Sequence, residues 1–337
     1  MPAAAESSDF LILGGGTAGC VLANRLSADG ATVTLVEAGP DYGPADSDDW
    51  PADLLDPRSP TDSHDWYPEA EFSLSRARVI GGCSAHNACF VTIGDRGDYD
   101  EWSEFAPGWN LETLRPYLDR SRKQIGARYL TQEEVSEWAH VIHRAAVEAG
   151  LPALDDFNDL TIPEGVGYLP CNVGDHRRWS TAFAYLDPAR ERAGLTVIGD
   201  ALVDRVVVTG ERATGAVVVT AEGETELSAR VVIVGAGAFG SPGILLRSGI
   251  GPADELRRLG IEVAAELPGV GRNLLDHSGV NIVFGAAPEL EAELRSKEAG
   301  GRMFGNANMI RAASSACTEG GGDIHLVPWA ARDALDR

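Results

Sequence analysis

Gly14-Gly15-Gly16-Thr17-Ala18-Gly19 places its glycines where a dinucleotide needs bare backbone. Gly14 permits a tight turn, Gly16 lets the chain approach a pyrophosphate, and Gly19 allows a helix to pack closely on the preceding strand. Thr17 and Ala18 complete the phosphate-facing set, because the first N–H groups of a helix have no partners within it and point at bound anions. Glu37, ending the next apolar run, can accept both ribose hydroxyls, and Ala38 beside it joins the cofactor-binding residues.

A second string, Gly235-Ala236-Gly237-Ala238-Phe239-Gly240, follows another apolar run. It reads either as a separate nicotinamide site or as a second strand-turn of the same nucleotide domain. Ser241-Pro242 just after it favours the latter, since proline in the first helical turn continues a helix start. One dinucleotide is therefore expected, FAD or NAD(P), with Gly237 among its contacts. Between the two strings lies Arg78-Val79-Ile80-Gly81-Gly82-Cys83-Ser84-Ala85-His86-Asn87-Ala88-Cys89-Phe90. Its adjacent glycines mark a close backbone approach, and small hydrogen-bonding side chains follow them.

The remaining reactive side chains form no constellation. The five cysteines are scattered and read as reduced thiols, and the spacing of Cys83 and Cys89 matches no redox dithiol motif. His140 and His143 lie off the apolar stripe of a predicted helix and read as solvated, so no metal site is expected. His64 and His176 sit in loop-like sequence, and His277, after Asp276, reads as ordering a turn. His325, in Asp323-Ile324-His325-Leu326-Val327-Pro328, is either a plain strand residue or a histidine beside a substrate.

The elements that must position these groups follow from periodicity. Residues 10–13 and 31–36 read as strands flanking the helix that the first glycine string opens, a βαβ unit. Residues 40–65, rich in Pro, Asp and Ser, read as a long surface excursion. A helix is expected from an Asn110 cap to about Lys123. Another opens on the capping box Thr131-Gln132-Glu133-Glu134, carries Val135, Trp138, Ile142, Ala145, Ala146 and Ala149 at helical spacing, and stops at Gly150 and Pro152. Strands are expected at 195–198, 202–209, 214–221 and 229–234, with a turn at 210–212.

At 337 residues, two domains sharing a large core are expected. The net charge of −23 argues against nucleic acid and anionic membranes as partners and favours a neutral or cationic substrate. Met1-Pro2-Ala3-Ala4-Ala5-Glu6 lacks the pattern of a leader, no apolar stretch is long enough to span a bilayer, and a cytoplasmic location is expected.

The segment from Arg78 to Phe90 resembles the first signature of the glucose-methanol-choline (GMC) oxidoreductases, most like the choline oxidase and choline dehydrogenase members. Gly237-Ala238-Phe239-Gly240-Ser241-Pro242 through Arg247-Ser248-Gly249-Ile250-Gly251 resembles the second signature, and Leu267-Pro268-Gly269-Val270-Gly271-Arg272-Asn273-Leu274-Leu275-Asp276-His277 is similar to a third family motif. Cys83 and His86 depart from the commoner residues at their places. The resemblance implies an α/β fold: a Rossmann-like FAD-binding domain over 1–125 and 171–285, interleaved with an incomplete α+β substrate domain over 126–170 and 286–337 built on an antiparallel sheet. It implies FAD as cofactor, with Arg78, Gly81, Gly82, Ser84, His86, Asn87 and Ala88 along the flavin and Val203 at the adenine. His86 then either carries the flavin covalently through its 8α-methyl or packs beside it. The implied reaction oxidises an alcohol to an aldehyde or ketone, with a histidine as base, for which His325 is the candidate here. The family's C-terminal catalytic segment has no counterpart, so a complementing chain or a homo-oligomer is expected. The alternatives are a nicotinamide-linked flavin reductase and a non-catalytic flavin-binding subunit.

Overall fold

The structure, a computed structural model, describes residues 7–58, 60–66, 75–299, 307–317 and 322–329. Residues 1–6, in which a leader was sought, lie outside them. The chain divides into two compact units. The first comprises Met1–Leu55, Thr61–His86 and Trp179–Gly279, and the second Asp56–Pro60, Asn87–Arg178 and Val280–Arg337.

The first unit is built on β1 (Ser8–Leu13), α1 (Thr17–Leu26), β2 (Val33–Val36), β3 (Leu195–Ile198), β4 (Leu202–Thr209), β5 (Arg212–Thr220), β6 (Gly223–Val234) and α2 (Gly237–Arg247). Its six-stranded sheet runs β3-β2-β1-β6-β5-β4. The pairs from β3 to β6 are parallel and the last two antiparallel. Leu11, Ile12 and Leu13 are wholly buried, as a central parallel strand covered on both faces requires. Leu13 pairs with both Val36 and Val234, so β1, β2 and β6 end at one edge of the sheet. That shared edge positions the site.

β6 begins at Gly223, six residues earlier than the apolar run at 229–234 suggests. Its first half pairs with β5 and carries exposed Glu224 and Glu226, polar residues that hide a half-solvated strand from an apolar count. The expected surface excursion at 40–65 is corrected more sharply. Trp50 and Leu54 are buried in the core, Trp50 packs edge-on to Phe183 at 4.8 Å, and its indole N–H donates to the Gly43 and Pro44 carbonyls. Apolar burial by two large side chains outweighs the local Pro and Asp content.

In the second unit the helix Leu111–Gln124 starts as expected, with the Asn110 side chain accepting the Thr113 N–H. The next helix, Glu137–Glu148, starts later than the capping box suggests, on Ser136. Glu134 does reach back to the Thr131 N–H, but its carboxylate is also gripped by two Arg128 nitrogens at 2.8 Å, which hold it well below its ordinary range, at about 2, and the motif closes a turn. A four-stranded sheet orders Ile324–Leu326, Asn308–Ala312, Gly165–Tyr168 and Ala153–Leu154, with the last pair parallel rather than antiparallel. Residues 56–60, 87–125, 171–178 and 280–285, expected with the nucleotide domain, fall in this compact unit. Phe90 and Arg128 both bridge to Cys171, and the Asn158 side chain bonds the Val91 carbonyl and the Ile93 N–H, which ties the segment after His86 to residues 158–171.

Candidate cofactor site

Gly14 leaves β1 at φ +112°, and a Cβ there would sit 2.6 Å from the Gly235 carbonyl. The two glycine turns therefore lie side by side at the same sheet edge, where β1 and β6 end together, and Gly237 opens α2 at φ +78° with an exposed backbone. The second string is a neighbouring turn of one nucleotide fold, so its position lends nothing to a separate nicotinamide domain. Gly16 caps α1 without a side chain, leaving the helix's first N–H groups to a ligand, and Thr17 and Ala18 above it are exposed. A Cβ on Gly19 would lie 2.0 Å from the Gly14 carbonyl, which fixes helix against strand.

Gly15, absent from the expected set, is the hub of the loop. Its N–H donates to Glu37 Oε2 at 2.8 Å, and its carbonyl accepts the Gly81 N–H at 2.7 Å and the Cys20 thiol at 3.2 Å. The unbroken run of three glycines was the available signal. Glu37 is only 6 % exposed, and its other oxygen takes the Gly39 N–H at 2.9 Å, so the carboxylate first knits the loop to β2. Each oxygen retains acceptor capacity for a hydroxyl. The Ala38 carbonyl accepts from Arg78 Nε at 3.0 Å, while the Arg78 guanidinium stacks over Trp66.

Burial pushes the Glu37 carboxyl up to about 7, against the lowering pull of the Gly39, Gly15 and Ala38 N–H groups and the Arg78 charge. A carboxyl raised by folding makes its full contribution below its unfolded value of 4.5 and loses it as pH rises through about 7. The ligand-free chain should lose on the order of 3 kcal/mol across that window on this account. Urea midpoints at several pH values check it. Glu37→Gln should flatten the decline, and an equal slope in the variant would assign the decline to other groups.

Gly81 and Gly82 adopt φ +87° and +52°, and a Cβ on Gly82 would stand 2.7 Å from Gly16 Cα. The family-like segment thus lies directly on the dinucleotide loop. Ser84 is buried and turned inward, donating to the Gly81 carbonyl at 2.6 Å and meeting Thr181 Oγ1 at 2.9 Å. His86, 4 % exposed, closes the turn Gly82–Ala85. Asn87, whose Oδ1 accepts the Cys89 N–H, and Ala88 belong to the second unit. Val203 sits on β4 with its carbonyl taken by Arg247 at 3.2 Å.

The other reactive groups are accounted for locally. His140 Nδ1 bonds the Tyr168 hydroxyl at 2.6 Å and His143 stacks on the same ring, which corrects their reading as solvated. His64, at φ +63°, bonds Tyr42 and Ser63. His325 lies on the exposed strand Ile324–Leu326 opposite Arg311. Cys20, Cys83, Cys89 and Cys171 are free thiols, and burial pushes the Cys20 thiol up to about 12. Among the described residues no cluster of three His, Cys, Asp or Glu could hold a metal, and no helix is long and apolar enough to cross a membrane.

Uncapped helix N–H groups, bare glycine backbone and a buried carboxylate at the end of the next strand together fit the pyrophosphate and ribose of a dinucleotide. The comparisons agree. The N-terminal family profile described as GMC oxidoreductase matches residues 8–279. Human mitochondrial choline dehydrogenase is 37% identical over 312 residues, covering 83% of this chain and 52% of its own length. Among solved structures, pyridoxine 4-oxidase from Mesorbium loti matches with a TM-score of 0.66 at 29% identity, over 78% of this chain and 56% of that one. An FAD-dependent oxidoreductase from Chaetomium thermophilum matches with a TM-score of 0.68 at 25% identity, over 91% and 62%. The chain spans about half to three fifths of the length of the curated relatives it matches.

Proposed function

The chain belongs to the GMC oxidoreductase family, and on that premise we propose that it binds one FAD and serves the oxidation of a small alcohol to an aldehyde or ketone. The observation that carries this reading is the meeting of Gly14–Gly19, Glu37 and Gly81–Gly82 at one sheet edge. The N–H groups of Gly16, Thr17, Ala18 and Gly19 bind the pyrophosphate, and Glu37 accepts from the ribose while holding Gly15. Gly81 and Gly82 bring bare backbone to the cofactor beside them. Bound FAD would supply the hydride acceptor. His325 is the residue we propose for taking the substrate hydroxyl proton on its imidazole, and Asn87 and Ala88 remain proposed flavin contacts.

The substrate class is a small neutral or cationic alcohol, in keeping with the net charge of −23. A cytoplasmic location belongs to the same proposal. Polypeptide corresponding to the rest of the family fold, joined or separate, would cover Val280, Ile282 and Phe284, which are 89 %, 73 % and 75 % exposed in an apolar run. Neither the nicotinamide-linked reductase nor the non-catalytic subunit gains support from the relatives.

Purification tests the reading together with His86. The chain should emerge yellow with one FAD, and acid precipitation should leave the flavin on the protein in the wild type and release it from His86→Ala. Flavin found wholly in the wild-type supernatant would make His86 a noncovalent neighbour. A colourless chain that takes up no FAD would overturn the reading.

A further inference from the structure

We infer that Ser84 and Thr181 form a positioning clamp that holds the Gly81–Gly82 turn against Gly15 and Gly16 and so sets the opening of the cofactor cradle, an inference that rests on the FAD reading above. Ser84 has one proton, and it goes to the Gly81 carbonyl at 2.6 Å. Ser84 Oγ must therefore accept both of its other contacts, the Thr181 N–H at 3.0 Å and the Thr181 hydroxyl at 2.9 Å. Its capacity is then filled. The Gly81 N–H continues the chain to the Gly15 carbonyl at 2.7 Å, and the Gly15 N–H to Glu37 at 2.8 Å. A continuous line of hydrogen bonds thus runs from Thr181 through Ser84, Gly81 and Gly15 to the carboxylate at the end of β2.

Thr181 is anchored from behind. The five residues after it, Ala182–Leu186, form a wholly buried π-helical turn, a rare geometry, and the Tyr185 carbonyl in it accepts the Asn24 side chain of α1 at 2.7 Å. The clamp is therefore tied at both ends to the nucleotide-binding helix or its loop. Ser180 Oγ, buried beside Gly81, has no hydrogen-bond partner among the described residues and takes no part in this line. Removing the Ser84 hydroxyl leaves the Gly81 carbonyl and the Thr181 N–H without that partner, and removing the Thr181 hydroxyl takes the donor from one Ser84 lone pair and loosens the turn less.

The test is FAD titration of the ligand-free full chain, followed by flavin absorption, with the thermal midpoint measured alongside. Thr181→Val keeps the shape and removes only the hydroxyl; it should raise the FAD Kd about fivefold to tenfold and shift the bound-flavin spectrum. Ser84→Ala should do more, and Thr181→Ser should return both readouts to within about twofold of wild type. A residue serving stability alone would lower the midpoint and leave Kd and spectrum unchanged. Wild-type binding with Thr181→Val inside a factor of about two would overturn the clamp alone. Absence of FAD binding in the wild type would overturn the functional reading, and the clamp with it.

Discussion

Gly19→Ala should abolish measurable flavin binding and lower the chain's thermal midpoint. The new Cβ would lie 2.0 Å from the Gly14 carbonyl, a distance no rotamer adjustment relieves because both partners are backbone. Helix α1 has to move away from β1, and its first N–H groups leave the position that a pyrophosphate requires. Overpacking of this kind costs about 1–3 kcal/mol, or more where backbone must shift. A loss near 3 kcal/mol in binding alone weakens FAD by about a hundredfold. Differential scanning fluorimetry with and without FAD checks both parts. A variant that keeps its FAD-dependent stabilisation would show that α1 does not have to sit where Gly19 places it.

The described chain alone should fail to turn over an alcohol at an appreciable rate. Hydride transfer needs a base within hydrogen-bond reach of the substrate hydroxyl and a site that excludes water. Most of the seven histidines are committed elsewhere: His64 to Tyr42 and Ser63, His140 and His143 to Tyr168, and His86 to the buried turn by the glycines. His176 sits in a hairpin turn at φ +59°, and His277 is exposed beside Asp276. His325 lies on an exposed strand, opposite Arg311. General-base catalysis contributes about 10²- to 10⁴-fold, so the reaction should be slower by that order than with a complete site. Anaerobic mixing of the isolated chain with a panel of primary alcohols should leave the flavin oxidised. Rapid bleaching would overturn this expectation of slow turnover, and its loss in His325→Ala would show the proposed base already at work in this chain.

The parts of the site that are local in sequence were legible there. β1, α1 and β2 follow from two apolar runs around a glycine string, and β4 and β5 from alternation about a short turn. What escaped depends on distant partners. Nothing near Ser84 announces that its proton goes to Gly81 and its lone pairs to Thr181, ninety-seven residues away. The Thr131–Glu134 box is a sound helix signal, but Arg128 and Ser136 redirect it. Trp50 and Leu54 look like loop residues until Phe183 is found beside them. The boundary between the units falls inside one continuous motif, between His86 and Asn87, where composition does not change.

The most direct test of the account is FAD titration of the ligand-free chain beside its Glu37→Ala variant, followed by quenching of flavin fluorescence. The wild type should saturate at one FAD per chain. The variant should bind more weakly by about 1–3 kcal/mol, having lost the carboxylate that holds Gly15 and meets the ribose. Saturation at one equivalent with unchanged affinity in Glu37→Ala, or no saturable binding by the wild type, would contradict it.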